Sequence, residues 1–252
     1  MSFAVAADLY DRFMGKYSVL LSPQLADFAA VSRGQRALDV GCGPGALTSE
    51  LVARLGPAAV SAVDPSQSFV AAARERNPGV DVQEAAAERL PFRTGMFDAT
   101  LAQLVVHFMA EPVVGLAELK RVTRTSGVVA ACVWDHGGGQ GPLSLFWRAA
   151  HDLDSEVADE SKLPGVREGH LEELFAEAGL RDLERTVLDA TVEHESFDDW
   201  WEPFTLGVGP TGAYAAGLDE NRRIELRERC RALIPPAPFA IVARAWAVRG
   251  RV

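Results

Sequence analysis

The sequence predicts an α/β protein in which strands and helices alternate around a parallel sheet. Short apolar runs, such as Ala37-Leu38-Asp39-Val40, alternate with helical segments between residues 36 and 134. This order of elements is typical of a parallel sheet with helices on both faces and right-handed connections. The central runs are almost continuously apolar, as expected of strands that are buried on both sides. A glycine-rich turn follows the first of these runs.

Local patterns justify each predicted element in order. Residues 1–33 are expected to form N-terminal helices. Gly56-Pro57 ends the first helix of the core, and Gly179 closes an amphipathic helix at a position that favours glycine. A glycine- and proline-rich stretch up to Gly217 is expected to connect two later helices. The elements expected after residue 34 are strand 36–40, helix 45–55, strand 59–63, helix 66–76, strand 80–84, strand 97–103, helix 112–122, strand 127–134, helix 142–158, helix 170–178, strand 185–192, helix 197–204, helix 219–233 and strand 239–248.

The length of 252 residues suits a single large domain. We divide this domain into four regions, with a flexible joint at Gly137-Gly138-Gly139. The regions are the N-terminal helices (1–33), a ligand-binding core (34–136), a cap and substrate region with one strand of the core (137–235), and a terminal strand (236–252).

The glycine-rich turn predicts a nucleotide-type pocket. Gly41, Gly43 and Gly45 lack a Cβ atom, so the turn can adopt positive φ angles and let a ligand lie on the backbone. The helix that follows offers unpaired N–H groups to a negatively charged group. Asp64 ends the second strand about 20 residues further on, where an acidic residue can accept the two hydroxyls of a ribose. The alternative is a tight strand–helix turn without a ligand.

Composition excludes several classes of partner. The net charge of −10 argues against nucleic acid, because phosphate binding requires a basic surface. No run approaches the roughly 20 apolar residues of a membrane span, and the N-terminus lacks the layout of a signal peptide. The three cysteines have unrelated spacings, so neither a disulfide framework nor a metal site is expected. We therefore expect a cytoplasmic monomer or homodimer.

Five segments form an ordered set of motifs along the chain. They are Leu38–Gly45, Val63–Ser66, Ala87–Phe92, Phe97–Gln103 and Glu118–Val122. With Tyr10–Gly15 and Ala243–Gly250 near the ends, this set resembles the class I S-adenosylmethionine-dependent methyltransferases, in particular the bacterial small-molecule group of the type 11 kind. The resemblance covers nearly the whole chain and is weakest over residues 136–235. It implies a Rossmann-like, mostly parallel seven-stranded sheet with an antiparallel last strand and a helical cap insertion.

The resemblance also implies S-adenosyl-L-methionine as the cofactor, with S-adenosyl-L-homocysteine as the product. Gly41 and Gly43 would lie against the amino-acid part of the cofactor. Asp39 would approach its ammonium group, directly or through water, and Asp64 would hold the ribose. The other residues expected at the cofactor are Pro65, Ser66, Ala87 and Glu88 around the adenine, Gln103 near the methionine moiety, and Tyr10 and Tyr17 closing over the site.

Two positions depart from the family pattern. Ala86 stands where members often carry an acidic residue that accepts from the adenine amino group, and Glu84 or Glu88 could take that role. Thr125-Ser126-Gly127 replaces the usual Lys-Pro-Gly-Gly turn before the fifth strand, which affects local geometry only.

His107 is the candidate catalytic residue. It follows the fourth strand, near the mouth of the active site in the family, and a histidine there can act as a general base. The alternative is an ordinary loop histidine. Asp135 and His136 end the fifth strand and are weaker candidates, whereas Cys42 has no evident base partner and is interpreted as a small turn residue.

The aromatic cluster Trp200-Trp201-Glu202-Pro203-Phe204 has two interpretations. Neighbouring glycines favour a mobile lid over an apolar or aromatic acceptor, while packing in the cap or a dimer surface is the alternative.

The motifs favour methyl transfer to an O, N or C nucleophile of a small molecule, mainly by proximity and orientation. The alternatives are an NAD(P)-dependent oxidoreductase and an S-adenosylmethionine-binding protein that does not methylate.

Overall fold

Seven strands form one sheet in this computed structural model, which describes residues 7–252. The first six residues of the expected N-terminal helices lie outside the described residues. The strands are β1 (Ala37–Val40), β2 (Val60–Asp64), β3 (Asp81–Glu84), β4 (Phe97–Gln103), β5 (Thr123–Trp134), β6 (Arg181–His194) and β7 (Phe239–Arg251). Their order in the sheet is β3-β2-β1-β4-β5-β7-β6. Only the pairings of β7 with β5 and β6 are antiparallel. The predicted α/β fold with an antiparallel last strand is thus confirmed.

Ten α-helices connect these strands within the described part of the chain. They are α1 (Ala7–Tyr10), α2 (Lys16–Phe28), α3 (Ala46–Leu55), α4 (Gln67–Arg76), α5 (Pro112–Val122), α6 (Ser144–Leu153), α7 (His170–Glu177), α8 (Phe197–Trp201), α9 (Gly209–Gly217) and α10 (Glu220–Leu233). A π-helical turn, Asp11–Gly15, joins α1 to α2, and a 3-10 turn, Val106–Phe108, follows β4.

The helices cover both faces of the sheet. Successive residues of a strand point to opposite faces, so Ala37 and Leu38 belong to different apolar cores. The core containing Ala37 includes residues of α2, α3 and α6, while the core containing Leu38 includes residues of α5 and α7. All four residues of β1 are buried, which explains why its sequence is apolar apart from Asp39.

Several predicted elements in the second half of the chain differ from the structure, and the helix expected at 142–158 spans only Ser144–Leu153. The last part of the stretch up to Gly217 forms the helix α9. Pro210 is compatible with this helix, because it lies in the first turn, where a backbone N–H is not needed. The expected helix 197–204 ends at Trp201 and continues as a 3-10 turn, Glu202–Leu206. The strand expected at 185–192 extends over Arg181–His194, because it pairs with β7 along this length.

The carboxyl ends of β1, β2 and β4 lie at the same edge of the sheet, because these strands are parallel neighbours. The glycine-rich turn, the residues after Asp64 and the residues after Gln103 therefore converge there. Open α/β sheets bind their ligands at this edge. Within residues 7–252, every helix falls short of the length and apolar character that crossing a membrane requires.

Candidate functional site

A cavity of about 1040 Å³ opens at the carboxyl edge of the sheet. This volume lies just above the usual range of small-molecule and cofactor sites, about 300–1,000 Å³. The structure brings ten of the predicted site residues together in its lining: Tyr10, Gly41, Gly43, Asp64, Pro65, Ser66, Ala87, Glu88, Gln103 and His107. Asp39 and Tyr17 are the predicted residues that do not line it.

The glycine-rich turn forms one wall because its backbone adopts conformations that other residues avoid. Gly41 has a φ of 70° and Gly43 a φ of 52°. A Cβ atom on Gly41 would lie 2.4 Å from Cγ2 of Val105, whereas a Cβ atom on Gly43 would meet no atom within 4 Å. The backbone of Gly43 therefore faces open space that a ligand can fill. Burial raises the pKa of the neighbouring Cys42 thiol, consistent with a turn residue rather than a nucleophile.

Asp64 is held at the centre of the lining by two backbone donors. The N–H of Gly43 donates to Oδ2 and the N–H of Ser66 donates to Oδ1, each over 2.8 Å. Burial raises the pKa of Asp64, and these two hydrogen bonds oppose that shift. Each carboxylate oxygen has a further lone pair, so Asp64 can still accept two hydroxyl groups from a ligand.

Asp39 lies behind the turn rather than at the cavity wall, because its carboxylate is directed toward α3. Its Oδ2 accepts from Oγ1 of Thr48 over 2.6 Å, and its Oδ1 is buried with no hydrogen-bond partner among the described residues. Burial raises the pKa of Asp39 to about 7. Asp39 therefore lies outside the lining of the cavity, and its unpartnered Oδ1 fits a contact through water.

Glu84 and Glu88, which could replace an acidic residue at position 86, differ in whether their carboxylates are free to accept from a ligand. Oε1 of Glu88 accepts from the N–H of Ala110 over 2.8 Å and from the N–H of Glu111 over 3.3 Å. Glu88 thus closes the loop before α5. Glu84, at the end of β3, lines the cavity with an exposed side chain. Glu84 is consequently the more available acid at this end.

Gln103 connects the N-terminal helix to the end of β4. Its Nε2 donates to the carbonyl of Ser18 over 3.0 Å, and its buried Oε1 has no partner among the described residues. Tyr10 lies across the cavity and packs edge-on against Phe69, with 5.3 Å between ring centroids. An unpartnered acceptor in the lining of the cavity fits a ligand with an N–H donor.

Tyr17 does not close over the cavity as predicted. Its buried ring packs against Trp134, with 6.1 Å between centroids, in the core under α2. The intervening π-helical turn, Asp11–Gly15, rotates less per residue than an α-helix. Tyr17 therefore lies on a different face of the N-terminal segment from Tyr10.

His107 lies in the 3-10 turn after β4, and only 3% of its surface is exposed. Burial holds the pKa of His107 well below its usual value, and the charge of His136 lowers it further. The two rings are 6.1 Å apart, and burial lowers the pKa of His136 to about 4. His107 is thus neutral near pH 7, and its lowered pKa makes it a weaker base than an exposed histidine. The carboxylate of Asp135 accepts from the N–H of Gly138 over 2.7 Å, which indicates a structural role.

Several lining residues were missed by the sequence analysis. Leu104, Val105, Phe108, Met109 and Ala110 follow β4, and a strand's carboxyl end in a parallel sheet is a signal that could have found them. Leu163 and Pro164 come from the segment before α7, and no local pattern marks them.

The predicted aromatic lid is instead the interior of the cap. Trp200, Trp201 and Phe204 are each at most 6% exposed, and none of them lines the large cavity. Phe204 stacks on Phe146 of α6 with 4.7 Å between ring centroids. These rings are buried by each other because large aromatic groups dominate cores.

A family model described as a methyltransferase domain matches residues 38–131. A chloroplastic 2-methyl-6-phytyl-1,4-hydroquinone methyltransferase of Oryza sativa subsp. japonica is 34% identical over 155 residues, which cover 60% of this chain and 40% of that protein. In four curated relatives that the chain matches, the aligned region spans half or less of the relative's length.

Solved structures share the fold at low sequence identity. A putative methyltransferase from Bacillus halodurans C-125 superposes with a TM-score of 0.60 at 16% identity, covering 91% of this chain and 97% of that one. Geranyl diphosphate C-methyltransferase from Streptomyces coelicolor A3(2), in complex with S-adenosyl-L-homocysteine, gives a TM-score of 0.54 at 15% identity, covering 92% and 77%.

Residues 38–131 thus match a methyltransferase domain, and the fold of the chain is that of the solved methyltransferases. The Streptomyces coelicolor enzyme of this fold holds S-adenosyl-L-homocysteine, the product that S-adenosylmethionine leaves after methyl transfer. The resemblance stated from the sequence is confirmed, and the NAD(P)-dependent alternative is not supported.

Proposed function

We propose that the protein transfers the methyl group of S-adenosylmethionine to an O, N or C nucleophile of a small, partly apolar or aromatic molecule. The single observation that carries this proposal is the continuity of the cavity. Its lining runs from Asp64 and the glycine-rich turn to His107 and the apolar residues after β4. One cavity can therefore hold a nucleotide-like cofactor and a second molecule in contact with each other.

The residues of the cavity fit the cofactor. Asp64 offers two oxygens to the ribose hydroxyls, and Glu84 offers a carboxylate to the adenine amino group. The open space at Gly43 accommodates the amino-acid part, and the unpartnered Oε1 of Gln103 offers an acceptor to an ammonium group. Tyr10 covers the cofactor from the N-terminal side.

The chemistry of the step requires little from the chain beyond orientation. When bound, S-adenosylmethionine would supply a methyl group on a sulfonium; the acceptor atom bonds to the methyl carbon as the carbon–sulfur bond breaks, and the neutral thioether of S-adenosylhomocysteine is the leaving group. Leu104, Val105 and Met109 position the acceptor and exclude water, and holding two reactants in line can supply most of the rate. Neutral His107 accepts the proton that an O–H or N–H acceptor loses.

Calorimetry with S-adenosylhomocysteine tests the cofactor site. Asp64→Ala removes two charge-assisted hydrogen bonds to the ribose, so we expect at least about tenfold weaker binding. Asp81→Ala is the matched control, because Asp81 is an exposed residue at the start of β3, outside the lining of the cavity, and its carboxylate accepts from the Gln83 side chain. Unchanged binding by Asp64→Ala, or no binding by the unaltered protein, would contradict the proposal.

Incubation of cell extracts with isotope-labelled S-adenosylmethionine tests the transfer itself. Mass spectrometry should find a small molecule that gains one labelled methyl group. His107→Ala should bind S-adenosylhomocysteine normally but methylate an O–H or N–H acceptor at least about a hundredfold more slowly. Cofactor binding without any methylated product would favour a protein that binds S-adenosylmethionine and does not methylate.

A further inference from the structure

The end of the cavity beyond β4 has an uncharged lining. Leu104, Val105, Met109, Leu163 and Pro164 are apolar, and burial keeps His107 neutral near pH 7. No Lys or Arg lines the cavity anywhere in residues 7–252, and residues 1–6 contain neither residue type. The charged side chains in the lining are the carboxylates Asp64, Glu84 and Glu88.

Four backbone N–H groups around the cavity are occupied by two of these carboxylates, Asp64 and Glu88. The N–H groups of Ala110 and Glu111, at the start of α5, donate to Glu88. Those of Gly43 and Ser66 donate to Asp64. The first turn of a helix is a ready-made anion site, and here the chain's own Glu88 fills the one at α5.

Three of the basic side chains on the surrounding elements are committed to other partners. Arg76, at the end of α4, forms an ion pair with Asp11, and Arg12 forms one with Glu202 of the cap. Arg121 of α5 is held by Glu118.

We propose that the methyl acceptor is uncharged in the part that enters this cavity, and that acceptors bearing a carboxylate or phosphate there are rejected. This specificity rests on the proposed methyl transfer. An anion that leaves water for this end of the cavity loses its hydration, finds no cation in the lining, and is repelled by the nearby carboxylates. A site becomes specific when a competing ligand must bury a charge there that no group of the site compensates. The cofactor differs, because its carboxylate is accompanied by its own ammonium group.

Two probes of equal ring size test this proposal. Calorimetry at pH 7.5 measures the binding of 2-naphthol and of 2-naphthoate to protein saturated with S-adenosylhomocysteine. We expect 2-naphthol to bind at least tenfold more tightly than 2-naphthoate. Equal or tighter binding of 2-naphthoate overturns the proposal, and so does the absence of binding by both probes.

A variant with an added cation sharpens the test. Leu163→Arg places a guanidinium at the apolar end, and it should strengthen the binding of 2-naphthoate at least tenfold while leaving that of 2-naphthol within a fewfold. Leu163→Gln is the matched control, because it is polar but uncharged and should not strengthen 2-naphthoate binding. An equal gain in both variants contradicts an effect of charge. Failure of S-adenosylhomocysteine to bind at all would instead overturn the proposed function.

Discussion

The half of the molecule built on β1 to β5 and the cap bury different kinds of side chain. Around the glycine-rich turn, the buried groups Asp39, Gln103 and His107 each leave a polar atom without a partner among the described residues. The cap also buries unpartnered polar atoms of Thr211 and Tyr214 among the described residues, but its largest buried groups are aromatic rings such as Phe146 and Phe204, which stack on each other. One half is arranged around a cavity, and the other half fills its own interior.

This difference suggests that the cap contributes stability, whereas the residues around the cavity serve ligand binding. A buried polar atom without a partner costs about 1–3 kcal/mol, so the residues around the cavity lower the stability of the free protein. Aromatic pairs add about 0.5–1.5 kcal/mol each beyond the burial of their surface. We infer that packing in the cap offsets part of the cost of the site. Substitutions in the two halves should therefore have separable effects.

The largest effect is expected in the cap. Phe146→Ala removes a fully buried ring from the stack with Phe204 and should lower the free energy of unfolding by about 3–5 kcal/mol. Chemical denaturation measures this change. Val242→Ala is the control, because Val242 is 61% exposed, and it should stay within about 0.5 kcal/mol. A loss below about 1 kcal/mol for Phe146→Ala would show that the cap does not stabilise the molecule in this way.

An intermediate effect should distinguish two glycines of the turn. In Gly41→Ala, an alanine must adopt a positive φ and its methyl group collides with Val105. We therefore expect the free energy of unfolding to fall by about 2–4 kcal/mol. In Gly43→Ala, the alanine must adopt a positive φ without any collision, so the free energy of unfolding should fall by about 1–2 kcal/mol. Its methyl group, however, enters the cavity. Thermal melts should rank Gly41→Ala as less stable, and calorimetry should find weaker cofactor binding for Gly43→Ala. The opposite ranking would contradict the contact with Val105.

The smallest effect concerns a carboxylate in the cap. Burial raises the pKa of Glu160 to about 7, and Trp147 donates to its Oε2 over 2.6 Å. The folded state then binds a proton more tightly than the unfolded state, so this contribution to stability is present below pH 4.5 and is lost as the pH rises toward 7. Glu160→Gln keeps an acceptor for Trp147 without the charge. As the pH rises from 5 to 8, the free energy of unfolding of Glu160→Gln should increase by about 1–2 kcal/mol relative to that of the unaltered protein.

Thermal melts across this range measure the effect of Glu160→Gln. The exposed Glu156→Gln is the matched control and should show no such dependence. Parallel pH profiles of Glu160→Gln and the unaltered protein would show that Glu160 ionises freely.

The sequence predicts the first half better than the second for a physical reason. Asp64 and the glycine-rich turn are fixed by strand ends and by backbone conformation, which are local properties. Tyr17 was misplaced because a π-helical turn shifts the face on which it lies. Leu163 reaches the cavity through the path of a loop, which depends on long-range packing rather than on neighbouring residues. The burial of Trp200 likewise depends on what α6 and α8 enclose together.

The ion pairs of Asp11 and Arg12 connect two adjacent residues of the π-helical turn to different parts of the molecule. Asp11 is paired with Arg76 of α4, and Arg12 is paired with Glu202 of the cap. Tyr10, which covers the cavity, immediately precedes them, so lifting it disturbs both pairs together. Surface ion pairs are screened by salt. Added salt should therefore weaken both ion pairs that hold the π-helical turn beside the cavity. We expect cofactor exchange, measured by stopped-flow, to become faster as salt is added.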